Sequence, residues 1–179
     1  MLKNKYFIAI LPDAAISGQI TLFRKTFLAG LNAKDEHKKF PHITLQHTFS
    51  RAEEIEKEID PYLFELGKKS RPFPISLSGT GHFDNRIIYI KVMDQPFLNN
   101  LYTEVKKLLI EKLNFASNEV ASSFTPHVTL EKKITRQDFQ KYWDEIMNIP
   151  FEGIFVADSF SLMRHTGVKW EEIRRYEFG

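Results

Sequence analysis

Two histidines stand in nearly identical surroundings, His42 in "PHITLQ" (41–46) and His127 in "PHVTLE" (126–131), 85 residues apart. Each has a proline before it and a threonine two residues after it. On a strand alternate side chains share a face, so His42 and Thr44 point one way while Ile43 and Leu45 point the other. In the same way His127 and Thr129 oppose Val128 and Leu130. Unperturbed imidazoles have pKa values near ~6.5, so one of a pair can be neutral while the other is protonated at neutral pH. That combination supplies a general base and a general acid on opposite sides of an in-line displacement at phosphorus. The threonine hydroxyls can donate hydrogen bonds to non-bridging oxygens as charge grows on them. This scheme requires no metal and no cofactor.

Either motif alone reads as a structural or surface histidine on a strand. With only six histidines in the chain, a chance repeat of Pro-His-x-Thr-Leu is expected in well under ~1% of such sequences. The pair is therefore the signal. Two further classes stay open on the residues alone: a non-catalytic module whose two faces only grip a phosphate or nucleotide, and a His-dependent metallohydrolase. The second is disfavoured because neither motif brings a carboxylate at ligand spacing.

The elements that must carry the motifs also occur twice. "NKYFIAIL" (4–11) reads as a strand closed by Pro12. Ile16, Ile20, Phe23 and Phe27 recur at helical spacing and end near Gly30. After the polar loop 32–39 comes the first Pro-His strand. Ser50 and Glu53 form a capping box for a helix with Ile55, Ile59 and Leu63 on one face, which Pro61 is expected to kink or end. "RPFPISLSG" alternates as a half-buried strand. The second half runs in the same order: strand 86–92, a helix opened by Pro96, the second Pro-His strand, a helix started by Thr135 and Asp138, and a returning strand in "FEGIFVADSFSLM". A last strand, 168–178, has no counterpart.

The expectation is an α+β fold made of a duplicated bilobal unit, with two antiparallel sheets facing across a central cleft and helices on the outer faces. One bilobal domain spans 1–179, with the repeats at about 4–80 and 86–163. The two His-Thr faces would then meet in the cleft.

Composition narrows the partners. A chain of 179 residues, 42% hydrophobic and 27% charged, with mean hydropathy −0.32, fits one soluble globular domain. The formal charge of +2 cannot gather a polyanion by its overall field, so any attraction to phosphate must be local. The absence of cysteine excludes thiolate nucleophiles and Cys-ligated metals. The short apolar run at the N-terminus is closed by Pro12 and Asp13, which fits neither a signal peptide nor a membrane span. The chain is read as a cytoplasmic monomer without a membrane partner.

The two H-x-T-x motifs, with "KYFIAILPD", "GHFDNRIIYIKV", "TPHVTLEKK" and "FSLMRHTGVKWEEIRRYEF", resemble the two-histidine (2H) phosphoesterase superfamily, in its 2'-5' RNA ligase and cyclic phosphodiesterase branch. The resemblance covers nearly the whole chain. It implies hydrolysis of a 2',3'-cyclic phosphate on an RNA end or a small nucleotide, with 2'-5' ligation as the related reaction of a ribose hydroxyl in place of water. It also implies that His42 protonates the leaving oxygen, that His127 deprotonates water, and that Thr44 and Thr129 hold the phosphate.

Many RNA-ligase-like members carry an arginine five residues after the second histidine, where this chain has Lys132. An odd offset puts Lys132 on the far side of a regular strand, so reaching the site requires a bulge or a strand end. Arg164, near the end of the strand 154–163, is a second candidate for phosphate contact, and His165 a poorer one. Phe83, beside the turn in "GTGHFDNR", is a candidate to stack on a nucleobase. By the same offset rule His47 is read as structural, and His37 as a solvated loop residue.

Overall fold

The computed structural model describes residues 3–28, Leu31 and 40–179. His37, Gly30 and the loop 32–39 lie outside the described residues. The order is β1 (Asn4–Ile10), α1 (Ala14–Leu28), β2 (Ile43–Arg51), α2 (Ile55–Lys69), β3 (Phe73–Phe83), β4 (Ile87–Val92), α3 (Pro96–Leu113), β5 (His127–Lys132), α4 (Arg136–Ile146), β6 (Glu152–Ala157), β7 (Ser159–His165) and β8 (Trp170–Glu177). Among the described residues no helix is long and apolar enough to cross a membrane.

Local chemistry accounts for most boundaries. Pro96 opens α3 behind Gln95, whose side chain accepts from the Phe97 amide. The Thr135 hydroxyl oxygen accepts from the Asp138 amide at 3.1 Å and caps α4. Asp84 and Asn85 both have positive φ, making the tight β3–β4 hairpin turn.

Three local expectations are corrected. Ser50 does not cap α2, because β2 continues to Arg51 and Ser50 pairs with Lys5 of β1; the helix starts behind Glu54 with no side-chain cap. Pairing with β1 wins over the local cap. Pro61 does not end α2, which runs on to Lys69. An interior proline costs ~3 kcal/mol, whereas burying Ile55, Ile59 and Leu63 contributes ~1.5–3 kcal/mol each. The returning strand breaks at Asp158 into β6 and β7, which lie in different halves of the sheet.

The expected pair of separate sheets is instead one eight-stranded sheet, ordered β6-β3-β4-β5-β2-β1-β7-β8. Every pairing is antiparallel. Counted inward from its two ends, the order matches β8 with β6, β7 with β3, β1 with β4 and β2 with β5. The halves are intertwined: α1 follows β1 but packs on β5, β6 and α4, while α3 follows β4 and packs on β2 and α2. β3, read as the close of the first repeat, lies beside β4. The two sequence repeats thus do not close on themselves, because each sends a helix to the other half.

The helices cover one face with a single large core that includes Tyr6, Ile8, Ile43, Leu45, Ile90, Val128 and Leu130. A small second cluster on the opposite face joins Phe7, Ala9 and Met163, with Leu11, Phe40 and Trp170 against it. That second face carries the candidate site.

Candidate active site

β2 and β5 meet through one register pair, Ile43 with Val128. Both residues are fully buried on the helix side. Counting outward in an antiparallel register sets Thr44 opposite His127 and His42 opposite Thr129. Each histidine therefore faces the threonine of the other motif, and the two sequence-distant motifs share one patch of the open face.

The rings are held in the same way. His42 Nδ1 lies 2.9 Å from the Phe40 carbonyl oxygen, and His127 Nδ1 lies 2.7 Å from the Thr125 carbonyl oxygen. A carbonyl only accepts, so each Nδ1 carries the proton and donates it. Each neutral ring therefore keeps its lone pair on Nε2. The intervening residues are Pro41 and Pro126, and a residue before proline is pushed to extended backbone. The proline of each motif thus restricts the backbone whose carbonyl holds the ring two residues on.

Aromatic side chains brace both rings. His42 packs against Phe7 at 5.0 Å and Phe40 at 5.1 Å between centroids, and Trp170 stands edge-on to Phe7 at 4.6 Å. His127 packs against Phe83 at 5.0 Å and Tyr89 at 5.1 Å, and Phe83 stacks on Tyr89 at 4.4 Å. Gly81 makes room for this arrangement: a Cβ there would meet the Tyr89 ring at 2.6 Å.

Burial pushes both histidines below the ordinary imidazole pKa. For His42, loss of solvent comes first; the Phe40 carbonyl works against it, and the charges of Lys132 and His127 push further down. For His127, loss of solvent again leads, opposed by the Thr125 carbonyl and aided by the charge of His47. In the free protein neither ring is favoured as a cation near neutral pH.

Lys132 does stand within electrostatic reach of His42, and the reason is a bulge. β4 pairs Ile88 with Glu131 but Tyr89 with Thr129, so β5 carries one extra residue there. Leu130 and Glu131 are both buried, which returns exposed Lys132 to the face of His127 and Thr129. β2 does the same at the equivalent place. Ile8 pairs with Gln46 and Ala9 with Thr44, and Leu45 and Gln46 are both buried. His47, exposed, is thereby turned to the face of His42. Its reading as a residue of the opposite face is corrected.

The structure brings together His42, His127, Thr44, Thr129, Lys132 and Phe83. It does not bring Arg164 to them. The guanidinium donates to Glu56 at 2.9 Å and to Glu53 at 3.4 Å, and Arg164 pairs with core residue Tyr6, on the helix side. His165 points the other way, with its ring 5.0 Å from Trp170. His82 packs on Phe139 and Trp143 of α4. Sequence reasoning missed Phe7, Phe40, Tyr89, Trp170 and Lys91, the last of which is the register partner of His127.

The chain is similar to known proteins over most of its length. The family model of the 2'-5' RNA ligase superfamily matches residues 12–169. A protein of Oceanobacillus iheyensis, provisionally named a phosphoesterase, is 28% identical over 156 residues, covering 86% of this chain and 84% of that one. A Staphylococcus haemolyticus protein with the same provisional name is 23% identical, covering 95% and 96%. Among solved structures, Escherichia coli LigT complexed with 3'-AMP superposes with a TM-score of 0.74 at 19% identity, with 99% of each chain covered.

Proposed function

The chain belongs to the 2'-5' RNA ligase superfamily, and on that premise we propose that it is a metal-independent phosphoesterase, a cytoplasmic monomer that opens 2',3'-cyclic phosphates on RNA ends or small nucleotides. The observation that carries the proposal is the twin tautomer lock. Phe40 and Thr125 carbonyls hold both Nδ1 protons, so two Nε2 atoms are left for proton transfer on one shared patch of the open face.

In the proposed reaction His127 Nε2 takes a proton from water as its oxygen attacks phosphorus. The bond from phosphorus to the 3' oxygen breaks on the opposite side, and that oxygen takes the proton carried by His42 Nε2. The product is a 2'-phosphate with a free 3'-hydroxyl. Thr44 and Thr129 donate to the non-bridging oxygens, where charge accumulates. Lys132 adds a point charge on the His42 side. Phe83, already stacked on Tyr89, offers an aromatic edge to a base. A ribose 5'-hydroxyl in place of water gives ligation: its oxygen attacks phosphorus as His127 takes its proton, the 3' oxygen leaves with the proton from His42, and a 2'-5' linkage results.

His42 needs its proton before the leaving oxygen departs, although burial and Lys132 disfavour that proton in the free protein. A phosphate bound between Lys132 and His42 reverses the sign of the local field and raises the His42 pKa. Acid and base thus differentiate when substrate binds. The LigT structures solved with 3'-AMP and with phosphate support a ligand of this class.

The depressed pKa of both rings also favours the alternative of a binding module that never acquires its acid. Incubation with adenosine 2',3'-cyclic phosphate and separation of the product isomers distinguishes the two. Formation of 2'-AMP, unaffected by EDTA, is the expected result. Binding without turnover would select the module.

A further inference from the structure

His47 is the equivalent of Lys132 under the same 85-residue offset that relates His42 to His127. Each lies one bulge beyond the threonine of its strand, on the open face. Because β2 and β5 run antiparallel from their bridge at Ile43 and Val128, the two residues diverge. Lys132 goes to the flank of His42, and His47 to the flank of His127. A second basic residue marks the His127 flank. Lys91 is the register partner of His127, exposed, and lies two residues from Tyr89, whose ring meets His127, hence on the same face. With a formal charge of only +2 on the whole chain, two basic side chains beside one histidine form a local anion-attracting patch. The reacting phosphate, between His42 and His127, already has Thr44, Thr129 and Lys132.

From this placement we infer that His47, with Lys91 beside it, contacts a second phosphate of the substrate, the internucleotide one, and so determines a preference for oligonucleotide ends over mononucleotides. The inference rests on the cyclic phosphodiesterase reading above. His47 acts as a specificity residue and takes no part in proton transfer. An imidazole can donate one hydrogen bond when neutral and add a charge when protonated, whereas glutamine at that position cannot carry the charge.

The test compares adenosine 2',3'-cyclic phosphate with the dinucleotide adenylyl-adenosine 2',3'-cyclic phosphate in the wild type, His47→Gln and His47→Lys. The wild type is expected to favour the dinucleotide in kcat/KM. That preference should fall about tenfold in His47→Gln, the loss of one charge-assisted contact, through KM more than kcat, and should persist in His47→Lys. A wild type indifferent to the second phosphate, or a preference retained in His47→Gln, overturns the inference. If neither compound turns over, the phosphodiesterase reading fails separately, and the ratio of Kd values for the same two compounds tests His47 by the same criterion.

Discussion

Ile43 lies directly across from Val128 in the bridge that joins β2 to β5, and this one pair sets the geometry of the site. Both side chains are buried under the helices, so the neighbours on either side must face outward. His42 meets Thr129 and His127 meets Thr44. A one-residue slip of this pairing would turn one motif toward the core and leave the other without a partner.

The burial of the two histidines makes stability depend on pH. Each folded-state pKa lies below the ordinary imidazole value of about 6.5, so below about that pH the unfolded chain binds more protons than the native one. Stability is therefore retained above pH 6.5 and declines as the pH falls through that value. Urea unfolding between pH 7.5 and 5.5 should show this decline, and a His42→Asn, His127→Asn double variant should show a shallower one. An identical slope in the variant would remove the burial argument.

Lys132 lowers the His42 pKa by its charge. Replacing it with alanine should raise the His42 pKa, read by NMR titration of the ring, and raise KM for a cyclic nucleotide about tenfold, as expected for loss of a contact to a charged group. Arginine should restore the KM. An unchanged His42 titration in Lys132→Ala would place the ammonium away from the ring.

Gly81 is predicted to matter for activity more than for folding. Alanine there forces the Tyr89 ring away, since the nearest ring atoms stand 2.6–2.7 Å from the added Cβ, and a mobile ring end can yield. We expect kcat/KM to fall by about three- to tenfold, since Tyr89 braces His127, with Tm lowered by only about 2–4 °C per kcal/mol lost. Wild-type kinetics in Gly81→Ala would show that Tyr89 does not position His127.

The two Pro-His strands, most helices and the outward faces of His42 and His127 were legible because periodicity and motif spacing are local signals. The single sheet was not. It depends on α1 and α3 each crossing to the other half, and no residue pattern specifies that exchange. The positions of His47 and Lys132 failed under strict alternation, which assigns both to the core. A basic residue at a core position, in both copies of a repeat, was the sign that alternation breaks there. Arg164 was misjudged because its partners, Glu56 in α2 and Glu53 just before that helix, lie more than 100 residues away. Trp170 reaches the His42 side only through the pairing of β7 with β8.

The most direct measurement of the central claim is single-turnover hydrolysis of adenosine 2',3'-cyclic phosphate by His42→Ala and His127→Ala, each checked for native circular dichroism. The account predicts that each substitution lowers the rate by about 10²–10⁴-fold, the contribution of a positioned general acid or base, while the fold is kept. Wild-type rates in either folded variant would contradict it.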